Sequence, residues 1–131
     1  MSVKINARYA GGDQVELEHG PSKNKIMTDL PVDNGGRGRT FSPTDLLASA
    51  LASCILTIMA KAAERDGVNI QGTSISIEKH MQENPRRISK FTGILTFPAG
   101  LSEEKKKKLQ SYIQACPVHR SLHPDIQVEL A

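Results

Sequence analysis

One stretch, residues 42–66, constrains the fold of this 131-residue chain more than any other. It opens with Ser42-Pro43, which is typical of a helix start because a serine hydroxyl caps the first turn and proline fits the first helical position. From Leu46 to Ala63 the residues are apolar or small, with four exceptions: Ser49, Ser53, Thr57 and Lys61. A helix that is apolar on every side is a buried one. The stretch therefore predicts a long, buried central helix, with Gly67 as its C-terminal cap.

The length and composition predict a single domain over residues 1–131, with a modest aliphatic core. The apolar fraction is 38%, with no tryptophan and three phenylalanines. A chain of this length suffices for one core but not for two, and it is too small to wrap so long a helix by itself. We therefore expect a homodimer in which each chain helps to cover the helix of the other.

The sequence favours a cytoplasmic protein. The N-terminal residues lack an apolar run, so we expect no signal peptide, and the polar residues of the central helix argue against a membrane span. Two cysteines are too few for a secreted disulfide scaffold. The net charge of +3 comes largely from the lysine run 105–108. Without aromatic neighbours, this run predicts a solvated helix face and no nucleic-acid binding.

The rest of the chain predicts an α+β fold with the order βββ-α-ββ-α-α-β. Residues that alternate with a period of two predict six strands, the first three in an antiparallel β-meander and the next two in a β-hairpin: residues 3–9, 14–18, 25–30, 70–81, 86–97 and 125–130. Ser102 caps a second helix, which ends before Cys116 because Pro117 follows. Cys116 and Pro117 then begin a short third helix, before the final strand.

The two cysteines are the candidates for chemistry, and several interpretations stay open. In an apolar helix Cys54 is by default an inert small residue, whereas Cys116 at a helix N-terminus has a lowered pKa and is better placed to react. If the two meet, one thiolate can attack a peroxide and the other can close a disulfide on the resulting sulfenic acid. Cys116, His119 and His123 have ligand-like spacing and could form a zinc site with Cys54. His119 could instead be the base of a Cys–His nucleophile.

A glycine-rich loop, residues 31–41, carries Arg37 and Arg39 and leads directly into the central helix. It is either a flexible connection with solvated charges or a mobile segment that brings a guanidinium over the end of the helix. Its Gly-Gly-Arg-Gly run does not match the P-loop pattern and does not lie in a βαβ unit. It is therefore weak evidence for phosphate binding.

Two sequence blocks resemble the OsmC/Ohr family of thiol-dependent hydroperoxide reductases, nearer its OsmC-like branch. The first is SPTDLLASALASC, residues 42–54, and the second is CPVHRSL, residues 116–122. Their spacing, the meander before them and the hairpin between them extend the resemblance over nearly the whole chain. It implies an OsmC-like fold: an intertwined homodimer whose two long helices are wrapped by antiparallel sheets, with two active sites at the subunit interface.

The resemblance also implies roles for the cysteines. Cys54 matches the peroxidatic cysteine of the family, which attacks the peroxide. Cys116 matches the resolving cysteine, which closes an intramolecular disulfide.

The activating arginine is less directly matched. In the family a loop arginine activates the thiolate, and a glutamate ten residues before the reactive cysteine holds that arginine. The residue at that position here is Thr44, and the nearest carboxylate is the next residue, Asp45. We therefore expect Asp45 to orient Arg39, or alternatively Arg37, beside the reactive thiolate.

These expectations describe a thiol-dependent peroxidase of oxidative-stress defence. Its substrates would be organic hydroperoxides and, more weakly, hydrogen peroxide, because apolar walls favour an organic substrate. The residues expected to form these walls are Leu47, Leu51, Ile55 and Ile58. A dithiol, lipoyl-type or another thiol, would reduce the disulfide, and no metal or organic cofactor is required. The alternative function is that of a catalytically weak or inactive OsmC-like dimer that binds a small apolar ligand.

Overall fold

The computed structural model describes residues 1–131 and has the predicted order of strands and helices. The strands are β1 (Ile5–Gly11), β2 (Gln14–His19), β3 (Lys25–Asp29), β4 (Ser74–Gln82), β5 (Arg87–Thr96) and β6 (Gln127–Leu130). The helices are α1 (Pro43–Arg65), α2 (Glu103–Gln110) and α3 (Pro117–Ser121), with short 3-10 turns at Val32–Asn34 and Ile113–Ala115. This order confirms the predicted α+β class, although the observed strand ends differ from the predicted ones by a few residues.

The chain divides into two compact units, residues 1–46 and 47–131. In the first, β1, β2 and β3 form the predicted antiparallel meander. The register pairs Ala7 with Leu17 and Leu17 with Ile26, so one face of this sheet collects the apolar side chains. That face is exposed in the chain, with 57% of Ile5 and 66% of Tyr9 accessible. Alternation with a period of two is typical of a half-buried strand, but β1 is exposed within the single chain.

Backbone hydrogen bonds hold the loop between β3 and α1. The Gly36 N–H donates to the Pro31 carbonyl over 2.9 Å, and the Gly38 N–H donates to the Leu30 carbonyl over 3.1 Å. A Cβ at position 36 would overlap the Leu30 carbonyl oxygen, so only glycine fits there. Close packing of the backbone thus accounts for this part of the glycine run.

In the second unit the strand order is β4-β5-β6. β4 and β5 form the predicted antiparallel hairpin, but β6 pairs with β5 in parallel. Parallel pairing requires a crossover, and the segment containing α2 and α3 supplies it. The sheet is therefore mixed, which corrects the expectation of purely antiparallel sheets. Its core gathers fully buried side chains from α1 and β5 with others from α2 and the following turn: Leu51, Ile55, Met59, Phe91, Leu109 and Ile113.

Within one chain α1 buries only one side. Its buried residues recur every three or four positions, the spacing of one helix face: Ala48, Leu51, Ile55, Met59, Ala62 and Ala63. Leu47 is 38% exposed, and the opposite side exposes mostly small residues: Ala50, Ser53, Thr57 and Ala60. The single chain therefore buries one side of the helix, and cover of the other side by a partner chain stays a prediction.

By length and composition alone α1 could cross a membrane, and 33% of its apolar window is buried inside the chain. Core helices of soluble proteins pass the same test. Its C-terminal end has the predicted cap: Gly67 adopts a φ of 69°, and its N–H donates to the Glu64 carbonyl over 3.1 Å.

The lysine run lies on α2. Ser102 caps the N-terminus of this helix, as predicted, because its hydroxyl accepts the Lys105 N–H over 3.2 Å. Lys106 pairs with Glu103 at 3.2 Å, and Lys108 pairs with Asp66 at 2.9 Å. The hydrogen bond to Asp66 raises the pKa of Lys108. The run is largely exposed, which confirms the predicted solvated face.

Candidate active site

The two cysteines meet, although 62 positions separate them. Cys54, in the middle of α1, and Cys116, directly before α3, form a disulfide with their Cα atoms 6.0 Å apart. This Cα separation is usual for a disulfide. The pairing that the family resemblance implied is therefore present in the structure.

Local backbone bonds fix Cys116. Its N–H donates to the Ile113 carbonyl over 3.0 Å, and its carbonyl accepts the Arg120 N–H over 3.0 Å. Its sulfur accepts the His119 N–H over 3.4 Å, so Cys116 caps α3 as the sequence predicted. The residue has no accessible surface. Cys116 is thus both the N-terminal cap of α3 and fully buried.

Cys54 lies where the buried and exposed sides of α1 meet. It is partly exposed, next to the exposed Ser53 and one turn after Ala50. Thr57 donates its hydroxyl back to the Ser53 and Cys54 carbonyls, each over 3.0 Å, so it satisfies its own polar group inside the helix. Of the two sulfur-bearing residues, Cys54 is the accessible one.

The predicted apolar walls divide into two pairs. Leu51 and Ile55 are fully buried in the core, so they cannot line a crevice that is open to a substrate. Leu47 is exposed and Ile58 is partly exposed, and these two stay available for contact with an apolar molecule.

Arg39 is held by Asp29, a carboxylate that no sequence pattern indicated. Its Nε donates to Asp29 Oδ2 over 2.8 Å and its Nη2 to Asp29 Oδ1 over 3.1 Å. The Arg39 backbone N–H also donates to Asp29 Oδ2, and Nη2 donates to the Gly12 carbonyl, both over 2.8 Å. Two-point pairing of this kind fixes the plane of a guanidinium. Nη1 takes part in none of these bonds, and the side chain is 40% exposed.

Asp29 is a buried anion at the end of β3, with its side chain fully inaccessible. The hydrogen bond from the Arg39 side chain lowers the pKa of Asp29 to about 2, and the bonds from the Arg39 and Leu30 backbone N–H groups act in the same direction. Asp29 therefore stays ionised at any physiological pH. A single polar residue at the end of a strand leaves no periodic pattern in the sequence. The one sequence signal for Asp29 as a site residue would have been Arg39, an opposite charge ten positions later.

Asp45 closes a capping box with Ser42. Its Oδ2 accepts the Ser42 N–H over 2.9 Å, and the Ser42 hydroxyl accepts the Asp45 N–H over 3.1 Å. Asp29 thus holds Arg39, and the orienting role expected of Asp45 stays a prediction. Arg37, the alternative activating residue, is exposed on the loop.

The structure does not assemble the predicted zinc ligands. No group of three or more histidine, cysteine, aspartate or glutamate side chains is placed to hold a metal ion. In the disulfide the two sulfurs bind each other, so neither is a thiolate ligand. His123 accepts the Asp125 N–H at Nδ1 over 3.1 Å, which indicates a local turn contact.

The chain is similar to OsmC-like proteins both in sequence and in structure. The family model for OsmC-like proteins matches residues 35–131. A structure from Psychrobacter arcticus, provisionally described as an osmotic stress induced and detoxification response protein, is 40% identical with a TM-score of 0.91, over 96% of this chain and 92% of its own. No protein of curated function matches the sequence.

More distant structures share the fold. An organic hydroperoxide resistance protein OsmC from Legionella pneumophila is 19% identical with a TM-score of 0.81, over 99% of this chain and 95% of its own. The organic hydroperoxide resistance protein OhrB of Bacillus subtilis is 18% identical with a TM-score of 0.69, over 99% and 96%. Together with the family match, these findings show that the chain belongs to the OsmC-like family.

Proposed function

We propose that the protein is a thiol-dependent peroxidase that reduces organic hydroperoxides through Cys54 and Cys116. The disulfide between the two residues carries this proposal. It supplies the oxidised end of a two-cysteine cycle, and it joins a partly exposed residue, Cys54, to a fully buried one, Cys116. Three of the structurally similar proteins are named for organic hydroperoxide resistance, which supports the same chemistry here.

In the proposed cycle the Cys54 thiolate attacks one oxygen of the peroxide, and the O–O bond breaks. The alkoxide leaves, takes up a proton and departs as an alcohol, so that Cys54 becomes a sulfenic acid. The Cys116 thiolate then attacks the Cys54 sulfur and displaces hydroxide, which leaves as water. A dithiol of the lipoyl type, or another thiol, returns the disulfide to two thiols and is itself oxidised.

Arg39 is the proposed activator of Cys54. An arginine near a thiol lowers its pKa and can donate hydrogen bonds to a bound peroxide. Asp29 fixes the Arg39 guanidinium through Nε and Nη2, which supports a defined orientation of this cation. Arg37, two positions away on the same loop, is the alternative activator, so substituting each arginine in turn distinguishes the two.

The direct test measures consumption of cumene hydroperoxide with dithiothreitol as the reductant. Cys54→Ser is expected to abolish turnover, since it removes the nucleophile. Arg39→Met is expected to slow the reaction and to raise the pKa of the Cys54 thiol, whereas Arg37→Met leaves both close to wild type. Full activity of Cys54→Ser would show that the cysteine has no part in the reaction.

We also propose that the active form is a homodimer. Apolar side chains exposed within the chain include Leu47 on α1, and Ile5, Tyr9 and Ile26 on the first sheet. Large exposed apolar surfaces are costly in water unless a partner covers them. Sedimentation equilibrium is expected to give twice the chain mass, and a single-chain mass at micromolar concentration would contradict the proposal.

A further inference from the structure

The two halves of the disulfide differ in access. Cys116 has no accessible surface, and its cover comes from its own chain. Cys54 is partly exposed. Assembly with another chain can only remove access, so no oligomer exposes Cys116 while the chain keeps this fold. This asymmetry has consequences for how the disulfide is reduced.

We propose that the reductant always enters at Cys54, and that Cys116 is always the leaving sulfur. The inference deepens the proposed function, on which its biological meaning rests, by assigning a direction to the reductive half of the cycle. A thiol reductant would form its transient mixed disulfide with Cys54 only.

The exchange needs an attacking thiolate in line with the S–S bond, and access decides which sulfur it reaches. A reductant thiol loses its proton to solvent, and its sulfur bonds to Cys54 Sγ. The Cys54–Cys116 bond breaks, and its electron pair leaves with the Cys116 sulfur. The second thiol of a dithiol then attacks the mixed disulfide, which releases the Cys54 thiolate and closes the oxidised reductant.

The surroundings of Cys116 suit a leaving group. Its sulfur accepts the His119 N–H over 3.4 Å, and a hydrogen bond to the ionised form favours a thiolate. A sulfur that leaves readily as a thiolate accelerates the exchange. The same residue would then be ready, in the next cycle, to attack a sulfenic acid on Cys54. The hydrogen bond from the His119 N–H thus favours Cys116 both as the leaving thiolate in reduction and as the attacking thiolate in disulfide formation.

Peptide mapping of the wild-type protein tests the direction. The disulfide is formed with diamide, which requires no peroxidase activity, and a short pulse of 2-mercaptoethanol is stopped with acid and N-ethylmaleimide. Trypsin then separates the cysteines, because Cys54 lies in the peptide of residues 40–61 and Cys116 in that of residues 109–120. We expect the mercaptoethanol adduct on the first peptide and the maleimide on the second, with at least about tenfold selectivity.

Single-cysteine variants supply the second measurement. In the folded state Cys116→Ser, which keeps Cys54, is expected to react with Ellman's reagent at least about ten times faster than Cys54→Ser, which keeps Cys116. In guanidinium chloride the two rates are expected to converge, because unfolding removes the burial of Cys116. Circular dichroism checks that both variants fold.

Adduct mainly on residues 109–120, or on both peptides equally, would overturn the inference. Equal rates in the folded variants would do the same. Neither outcome bears on the proposed function, which is decided separately by peroxide consumption in Cys54→Ser. If peroxide consumption fails while the mapping succeeds, the direction of exchange stands and the peroxidase activity does not.

Discussion

Reduction of the disulfide is expected to destabilise the fold by a large and calculable amount. The bond closes a loop between residues 62 positions apart. In the chain-entropy account, a cross-link over a loop of this length lowers the entropy of the unfolded chain by an amount worth about 4 kcal/mol at 25 °C. Since 1.4 kcal/mol is a factor of ten, the ratio of folded to unfolded protein changes by roughly three powers of ten.

Urea denaturation of the oxidised and reduced wild-type protein measures this difference. Both samples are held at one protein concentration, because a dimer gains apparent stability with concentration. The matched control is the double variant Cys54→Ser/Cys116→Ser, whose unfolding free energy is expected to be the same with and without reductant. A difference below about 1 kcal/mol in wild type would refute the loop-closure reasoning. An equal shift in the double variant would assign the effect to the reductant itself.

Three further predictions follow from the core, from Asp29 and from the proposed substrate. Leu51→Ala leaves a cavity at a fully buried site and is expected to lower the unfolding free energy by about 2–5 kcal/mol. Val32→Ala, at a residue that is 71% exposed, is expected to lower it by less than about 1 kcal/mol. Urea unfolding of the two variants measures this difference. The pKa of Asp29 is about 2 in the folded protein against an ordinary 3.8. The ionised Asp29 carboxylate therefore stabilises the folded state fully above about pH 4, and this stabilisation is lost as the pH falls towards 2. The urea midpoints of wild type and Asp29→Asn should therefore differ at pH 7 and approach each other near pH 2, and a gap that does not narrow would contradict the linkage. The apolar side chains of Leu47 and Ile58 predict a higher kcat/KM for cumene hydroperoxide than for hydrogen peroxide, and Leu47→Ser should narrow that preference in steady-state assays.

Local patterns predicted the order of the elements well. The period-two stretches and the caps at Ser42, Gly67 and Ser102 depend on neighbouring residues only, so they can be identified without tertiary information. The parallel pairing of β6 with β5 could not be identified in this way. It depends on where a crossover returns the chain, which the residues of β6 alone do not specify.

The burial of α1 shows the limit of composition. A helix with apolar residues on all sides predicts cover on all sides, but composition does not say which chain provides that cover. The structure divides the helix into a core side around Leu51 and an exposed side around Ala50. Only the first of these belongs to the core of its own chain.

The candidate site was predicted in part. Cys54 and Cys116 lie too far apart along the chain for spacing to pair them, and the family resemblance supplied the pairing that the structure shows. The resemblance implied that Asp45, on the helix, orients the arginine; Asp45 forms a capping box with Ser42, and its orienting role stays a prediction. The sequence did not indicate Asp29, which pairs with Arg39 from the end of a strand. A long-range ion pair of this kind is set by tertiary packing, for which the sequence has no local signal.

The central claim is that Cys54 is the sulfur that a hydroperoxide oxidises. Cys116→Ser, treated with one equivalent of cumene hydroperoxide in the presence of dimedone, tests it most directly, because a sulfenic acid without its resolving thiol persists long enough to be trapped. The account predicts a dimedone adduct on the tryptic peptide of residues 40–61, which carries Cys54, with loss of the peroxide in equal amount. Peroxide that stays unconsumed, with Cys54 recovered as an unmodified thiol, would contradict it.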